Sequence, residues 1–372
     1  MSAPPFVFLD HNATTPLRPA VIAAMVAVLG EAGNPSSVHA GGRAARRRVE
    51  LARRQVAEAI GVPLGGEIVF TSGGTEANHL ALRGLKAPGR VLRSAIEHDC
   101  VRAAVPDAEP IPVTADGIVD LAVLERLLRD GAAVVSVMAA NNETGVIQPI
   151  ADVVRLAHAA GALVHCDAIQ IVGKAGFDMA ALGVDIATVS AHKLGGPQGM
   201  AALALAPKVP VRALTTGGGQ EKGYRAGTEN VAGIVGFGLA IEAAVAELDA
   251  YGRLADLRDR LAARLVEIDP AAVVFGAQAP RVANTLSIAM PGVKAETQVM
   301  AFDLAGIGIS AGSACSSGKV KTSHVLTAMG VASDLAAAAI RISLGRDTTD
   351  EEIRRMIEAW GELRTRTARS AA

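Results

Sequence analysis

Cysteine is scarce in this chain: 372 residues contain three, Cys100, Cys166 and Cys315. They lie far apart and none belongs to a CxxC pair, which argues against a zinc ribbon, a disulfide framework or a four-thiolate cluster site. Such isolated thiols are typical of a reducing compartment, so we expect all three to be reduced in the cytosol.

An excess of charge of one sign is also lacking. Lys and Arg number 36 against 37 Asp and Glu, giving a net charge of -1, so electrostatics favour neither nucleic acid nor an anionic membrane as a partner. The first fifteen residues lack the basic and apolar regions of a signal peptide, and no apolar run reaches the length of a membrane span. We expect a cytoplasmic protein that binds a small ligand and contacts neither membrane nor nucleic acid.

Short β-rich runs alternate with helical patterns through the first two thirds of the chain. This alternation predicts an α/β fold with a mainly parallel sheet flanked by helices, whose ligands gather at the carboxyl ends of the strands. The strand patterns lie at 67–70, 90–96, 132–140, 162–168 and 185–191, and the helical patterns at 21–29, 43–60, 120–128 and 151–160.

A second domain is expected because the chain is half hydrophobic and long enough for more than one core. A long helical pattern at 231–268 gives way to strand patterns at 271–275 and 284–290. We place the boundary near Tyr251, with the opening residues as candidates for the second domain.

The segment TSGGTEANHL at 71–80 follows a strand and opens a helix. Its amide groups and the Thr75 hydroxyl could hold a phosphate, although a plain glycine turn with a threonine cap explains it equally well. No GK[ST] or GxGxxG pattern is found here, which disfavours ATP and dinucleotides. His98, after the next strand, could stack on a cofactor ring or move protons, but such a histidine is more often a turn residue.

Further polar groups follow the later strands. After one strand come a carboxylate, Asp167, and an amide, Gln170. After the next come two hydrogen-bond donors, Ser190 and His192, and an amine, Lys193. A lysine there could be a surface side chain or a low-pKa amine that forms a Schiff base. An amine, a carboxylate for a pyridinium nitrogen and a phosphate cup together predict a pyridoxal phosphate site.

Two late segments carry further candidates. Thr228 lies in a glycine-rich loop too polar for a core, and Arg341 and Arg346 are two arginines of which either could grip a carboxylate. One of these arginines could instead form an ion pair within the second domain.

The sequence resembles the cysteine desulfurases, a branch of the class V aminotransferases, which are fold type I pyridoxal phosphate enzymes. The resemblance covers nearly the whole chain and rests on many segments in order: LDHNATTP (9–16), SGGTEAN (72–78), EH (97–98), NNETGVIQPI (141–150), HCDAIQIVGK (165–174), SAHKLGGPQG (190–199), RAGTEN (225–230), SAGSACSSG (310–318) and RISLGR (341–346).

The resemblance implies roles for the residues that match these motifs. Lys193 would carry the cofactor, Asp167 would pair with its ring nitrogen, Gln170 would bond its phenolic oxygen, and His98 would stack on the ring as a catalytic residue. The phosphate would be bound by Gly74, Thr75, Ser190 and His192, joined by Thr228 of a neighbouring subunit in an obligate homodimer.

The same resemblance implies the substrate and sulfur groups. Asn142 and Arg341 would hold the substrate carboxylate, with Asn142 also touching the cofactor, and Cys315 would take the sulfur. Small neighbours give the Cys315 segment freedom to move, and Lys319 and Lys321 would favour its thiolate. An incidental surface thiol is the plainer alternative for Cys315, and we expect Cys100 and Cys166 to be structural.

The implied fold is that of the pyridoxal phosphate-dependent transferases. A large domain at 15–250 would hold a seven-stranded sheet, and a smaller α/β domain at 1–14 and 251–372 would carry the Cys315 loop at about 308–326. The segment's length resembles the branch with a long mobile loop. His79 and Cys166 depart from the usual pattern, as changes expected to alter rate and not reaction, and Thr322 stands where relatives often have proline.

The implied reaction converts L-cysteine to L-alanine and leaves the sulfur as a persulfide on Cys315. The acceptor stays open: an iron–sulfur scaffold, a nitrogenase-dedicated system or a thiolation pathway. Alternatives are a selenocysteine lyase, another aminotransferase-like reaction, or a catalytically idle scaffold that binds an assembly partner.

Overall fold

The computed structural model describes residues 5–87, 89–312 and 322–371, the last four as backbone only. The strands within these residues are β1 (Val7–Phe8), β2 (Glu67–Thr71), β3 (Val91–Ser94), β4 (Glu109–Ile111), β5 (Val134–Ser136), β6 (Leu163–Asp167), β7 (Ile186–Ser190), β8 (Ala201–Leu205), β9 (Val273–Val274), β10 (Thr285–Ala289), β11 (Ile307–Gly308), β12 (Ser310–Ala311) and β13 (Ala339–Ser343). The helices are α1 (Pro19–Leu29), α2 (Ala40–Ala59), α3 (Gly74–Arg83), α4 (Asp99–Ala104), α5 (Leu121–Leu128), α6 (Ile150–Ala159), α7 (Met179–Leu182), α8 (Val231–Ala246), α9 (Leu248–Gly252), α10 (Leu254–Ile268), α11 (Ala295–Leu304), α12 (His324–Ala328), α13 (Ser333–Ala337) and α14 (Asp350–Ala371).

A seven-stranded sheet runs in the order β2-β8-β7-β6-β5-β3-β4 through the described residues. From β7 to β4 each pair of neighbours is parallel, and β8 alone runs antiparallel, to β2 on one side and β7 on the other. The prediction of a mainly parallel sheet flanked by helices is confirmed. Its central strands β7 and β8 are buried along their whole length, which explains their mostly apolar sequences.

Strand β8 was not predicted from the sequence. Its residues are Ala-Ala-Leu-Ala-Leu, a composition that favours a helix over a strand. Pairing with β2 and β7 along its whole length overrides that local preference. The two flanking strands supply backbone partners on both edges, a long-range effect that a local pattern does not contain.

The long helical pattern at 231–268 is divided in the structure into α8, α9 and α10. The chain bends by 67° between α8 and the helices that follow it. Within the part of the chain that the structure describes, no single helix has the length and apolar character to cross a membrane, and this bent pair meets the criterion only when its two arms are taken together.

A second, antiparallel sheet has the order β12-β13-β10-β9, and β1 pairs with β11 in parallel. Its core is separate from that of the large sheet and is built around Trp360 and Phe302, whose rings stack 6.4 Å apart. Val7 and Leu9 of the opening segment are buried in the same core. The domain limits at residues 14 and 251 remain a prediction.

The carboxyl ends of the parallel strands point toward this smaller sheet. β6 ends at Asp167 and β7 at Ser190, while α3 begins at Gly74 after β2. Arg341 lies on β13 of the smaller sheet. The fold thereby brings segments far apart in sequence to one location.

Candidate active site

One cavity of about 350 Å³ lies at the carboxyl end of the large sheet, between it and the smaller sheet. Ten of the predicted residues line it: Gly74, Thr75, His98, Asn142, Asp167, Gln170, Ser190, His192, Lys193 and Arg341. Of the other two, Thr228 is exposed on the loop before α8 and does not line this cavity. Cys315 falls outside the described residues, as do Lys319 and Lys321.

Asp167 ends β6 with its carboxylate buried beneath the cavity. Asn78 donates to Oδ2 at 2.9 Å, and the backbone N–H of Ile169 donates to Oδ1 at 3.0 Å. Burial raises the pKa of this carboxyl, and the hydrogen bonds and the charges of His98 and Lys193 lower it in part. A cationic donor from the cavity would further stabilise the charged form.

Lys193 lies in a 3-10 turn, Ala191–Lys193, directly after β7. Its ammonium donates to the carbonyl oxygens of Asn12 at 2.6 Å and Ala13 at 2.5 Å. Burial and the charge of Arg341 lower its pKa from 10.5 to about 8, although Asp10 and Asp167 oppose the shift. At pH 7 roughly a tenth of such amines are neutral, far more than for an ordinary lysine.

His98 precedes α4 and caps it, since the backbone N–H of Cys100 donates to Nδ1 at 3.2 Å. The Cys100 thiol also lies 3.0 Å from Nδ1. Nδ1 thereby accepts a hydrogen bond from the backbone, which orients the ring with Nε2 as its other polar atom. His98 is therefore both a cap residue and a group on the cavity wall, and the two sequence interpretations are compatible.

The start of α3 forms one end of the cavity. A Cβ at Gly74 would lie 2.5 Å from Cδ1 of Ile169, so a larger residue there would require the Ile169 side chain to shift. Burial, followed by the charge of Lys193, lowers the pKa of His192 to about 4, which leaves a neutral ring. Thr75 is exposed on the first turn, where its hydroxyl and the backbone amides can donate to an anion.

The two candidate arginines are separated in the structure. Arg341 is buried on β13 and lines the cavity, where Nη2 donates to Asp10 at 2.7 Å and Nη1 donates to the carbonyl of Asn142 at 3.1 Å. Its Nε is buried without a partner among the described residues. Arg346 pairs with Asp347 at 3.0 Å and does not line this cavity.

Asn12 lies at the site, although the sequence analysis assigned it no role. Its backbone carbonyl accepts from Lys193 and Gln170, and its side-chain Oδ1 accepts from Lys174 at 2.7 Å and Asn284 at 3.0 Å. The segment LDHNATTP was visible as a motif, but only the fold shows that it lies between the two sheets.

Other residues at the site were also missed. Glu143 lines the cavity, buried, and accepts from the Ser323 hydroxyl at 2.5 Å. Asn78 joins two groups by donating to Asp167 and to the Cys100 thiol, the latter at 3.2 Å. Cys100 was expected to be structural, but it also lines the cavity. Cys166 is buried in the core of the large sheet.

Comparison with known proteins agrees with this geometry. The chain belongs to the class V aminotransferase family, whose family model matches residues 7–356. Its relatives within that family are cysteine desulfurases: the one from Cereibacter sphaeroides is 44% identical over 365 residues, covering 95% of this chain and 94% of that protein.

Solved structures give the same result. A NifS-like protein from Rickettsia africae superposes with a TM-score of 0.91 at 37% identity, covering 97% of this chain and 99% of that one. SspA, solved in complex with cysteine, superposes with a TM-score of 0.78 at 27% identity over 92% of this chain and all of that one.

Proposed function

We propose that the protein is a pyridoxal 5'-phosphate-dependent cysteine desulfurase that converts L-cysteine to L-alanine and transfers the sulfur to Cys315. The observation that carries the proposal is one cavity that holds a low-pKa amine on Lys193, a buried carboxylate on Asp167 and a buried guanidinium on Arg341. The names of its relatives point to the same reaction.

The donor set fits pyridoxal phosphate. Each Asp167 oxygen accepts one hydrogen bond from the protein and retains capacity for a cationic ring N–H. Lys193 supplies an amine, and the start of α3 with neutral His192 supplies donors for a phosphate. When bound, the cofactor supplies an electron sink for charge that develops on the substrate α-carbon.

The chain's own groups would bind the substrate and move its protons. Arg341, with Asn142 beside it, would hold the carboxylate of an amino acid. Lys193 would take the α-proton and return a proton, since its pKa of about 8 suits an acid and base near neutral pH. His98 would stack on the ring, with its Nε2 available for proton transfer.

The sulfur step involves Cys315. Its thiolate would attack the substrate sulfur; an S–S bond forms while the Cβ–S bond breaks, and the electron pair passes to the carbon side, which is then protonated to alanine. The enzyme thiol and cysteine are thereby converted to a persulfide and alanine. Gly312, three residues earlier in the sequence, lines the cavity, which supports this assignment.

We propose a homodimer in which Thr228 completes the phosphate site of the partner. Thr228 is exposed and is not among the residues that line the cavity of its own chain, which supports a role across an interface. Helix α1 also exposes three apolar side chains in a row, Ile22, Val26 and Leu29, at 48%, 63% and 71%. Such an uncovered apolar helix face is typical of a surface that another chain buries.

We also propose that the enzyme acts in the cytoplasm and delivers its persulfide sulfur to an acceptor protein such as an iron–sulfur scaffold. The test of the reaction is production of alanine and sulfide from L-cysteine with a reductant, by wild type and by Cys315→Ser. We expect equal amounts of both products from wild type and neither from the variant. If wild-type protein carries the cofactor but forms neither product, L-cysteine is not its substrate. Assays with selenocysteine and for transamination would then follow.

A further inference from the structure

Lys174 is buried behind the cavity wall, with 5% of its surface exposed, and none of the roles proposed above involves it. Its Nζ donates to Oε1 of Gln170 at 2.6 Å and to Oδ1 of Asn12 at 2.7 Å. Through the described residues, no aspartate or glutamate hydrogen-bonds or ion-pairs with it. A buried ammonium without a counter-ion is strongly disfavoured, so its presence here requires an explanation.

The charged and titratable groups that face Lys174 are cationic or neutral. Lys193 and Arg341 act on it electrostatically, and the rings of His11 and His192 lie near it. Burial, then the charges of Lys193 and Arg341, hold the pKa of Lys174 well below its usual range. A neutral amine has two N–H donors, and two acceptors are what the structure provides.

The side-chain amide of Gln170 forms a hydrogen bond at both its oxygen and its nitrogen. Oε1 accepts from Lys174, which leaves Nε2 to donate, and Nε2 donates to the backbone carbonyl of Asn12 at 3.1 Å. Asn12 is the same residue whose carbonyl accepts from Lys193. The amide therefore cannot flip without losing both bonds, and Gln170 itself lines the cavity.

We propose that Lys174 is a positioning residue: held as a neutral amine between Gln170 and Asn12, it fixes the Gln170 amide with its N–H groups toward the cofactor. This inference rests on the proposed function for the part that concerns the cofactor. The neutral amine itself is independent of any reaction. Unlike Lys193, this lysine would neither form a covalent bond nor transfer a proton.

The first experiment measures the protonation of Lys174 by linkage. Unfolding of wild type and Lys174→Met is followed in denaturant from pH 7 to pH 10, using the protein as purified with its cofactor. An ordinary unfolded lysine binds a proton below about pH 10.4, while the folded amine stays neutral, so the folded state binds fewer protons. Wild type must therefore lose stability relative to Lys174→Met as the pH falls.

The expected size is a change approaching tenfold per pH unit in the ratio of the two unfolding constants. Exposed Lys86 gives the matched control, and Lys86→Met should follow wild type at every pH. Parallel curves for wild type and Lys174→Met would overturn the proposal, because Lys174 would then be charged in the folded protein. If Lys174→Met does not fold, Lys174→Gln serves the same comparison, since it keeps two N–H donors and does not titrate.

The second experiment tests the positioning role by the absorption spectrum of the bound cofactor. We expect Lys174→Met to shift the pH midpoint of the cofactor band by about half a unit or more, and Lys174→Gln to restore it in part. In a Gln170→Ala background the same change should have no effect, because the two residues act as a unit. A shift that persists without Gln170, or no shift at all, would overturn the role.

The two experiments separate failure of this inference from failure of the proposed function. A protein that purifies without cofactor would contradict the proposed function, yet the unfolding comparison would still decide whether Lys174 is neutral. Full desulfurase activity, together with stabilities of wild type and Lys174→Met that change in parallel with pH, would contradict the role of Lys174 and leave the proposed function intact.

Discussion

Arg341 donates to the carboxylate of Asp10 at 2.7 Å, joining β13 to the opening segment of the chain. The arginine is 4% exposed and the aspartate 19%, so water screens this pair weakly. Asp10 holds the guanidinium against the cavity wall while Nη1 is occupied by the Asn142 carbonyl. The pair also acts on Lys193 in opposite directions, since Arg341 lowers and Asp10 raises the pKa of that amine.

Replacement of Arg341 should weaken substrate binding selectively. We expect Arg341→Ala to raise KM for L-cysteine by about 10- to 100-fold, roughly 1.5 to 3 kcal/mol, because a charge-assisted hydrogen bond to the substrate carboxylate is lost. The spectrum of the bound cofactor should change little. Arg346→Ala is the matched control and should leave KM near the wild-type value, and the reverse ranking would assign the carboxylate to Arg346.

Lys193 should react with the cofactor in a pH-dependent way that its neighbours tune. In cofactor-free protein only the neutral amine reacts, so the incorporation rate should rise with pH and level off above about 8. Asp10→Asn removes a charge that raises this pKa and should move the midpoint down by roughly half a unit. Absorbance changes on mixing report the rate, and a midpoint near 10 in wild type would contradict the lowered pKa.

The sequence contained enough information for the fold and for most of the cavity lining. Strands β6 and β7 were predicted within one or two residues, since each is a short, mostly apolar run followed by polar groups. The residues at those ends converge because parallel strands share one edge. Strand β8 could not be predicted, because its alanines form a strand only through two long-range partners.

The missed site residues have a common cause. Lys174 is four residues beyond Gln170, and Glu143 directly follows Asn142, so both lay in quoted motifs. Nothing local indicates that the Lys174 amine is buried without a carboxylate, or that Glu143 meets Ser323, 180 residues away along the chain. The residues alone left Arg341 and Arg346 open and the resemblance favoured Arg341; in the fold, Arg341 lies on β13 and lines the cavity, whereas Arg346 follows the strand and does not.

Cysteine reactivity should distinguish the three thiols. Burial, then the nearby charge of Asp167, raises the pKa of Cys100 to about 12, and the same two causes raise the pKa of Cys166 well above its usual range. Because the thiolate is the reactive form, iodoacetamide at pH 8 should label Cys315 alone in the native protein. Peptide mass spectrometry measures the label at each site, and equal labelling of Cys100 and Cys315 would contradict this ordering.

Glu143 should make stability depend on pH in the acidic range. Burial raises its pKa from 4.5 to about 7, despite the Ser323 hydrogen bond and the charge of Arg341. Between these values the folded protein binds the proton more tightly than the unfolded chain, so stability falls as the pH rises from 4.5 to 7 and is level above. Glu143→Gln does not titrate, so its free energy of unfolding should rise relative to that of wild type by up to roughly 3 kcal/mol across that window.

Denaturant unfolding at pH 5, 6, 7 and 8 measures this difference for Glu143→Gln. The control is Glu125→Gln, on an exposed position of α5, whose difference from wild type should not vary with pH. A constant gap between Glu143→Gln and wild type over the window would show that Glu143 is already ionised at pH 5 in the folded protein.

A shared site between two subunits predicts complementation of inactive variants. Lys193→Ala lacks the amine, and Thr228→Ala would lack one phosphate donor in the partner's site. In a mixed dimer, one site carries both defects, while the other has the intact Lys193 of one chain and the intact Thr228 of the other. With random exchange, half of the dimers are mixed and half of their sites are intact.

Mixing the two variants under conditions that allow subunit exchange should therefore restore about a quarter of the wild-type activity per site, beyond what either variant shows alone. Mass measurement of differently tagged chains reports the fraction of mixed dimers independently of activity. Mixed dimers that form without any gain would place Thr228 in the site of its own chain, and a monomer in solution would remove the basis for the shared site altogether.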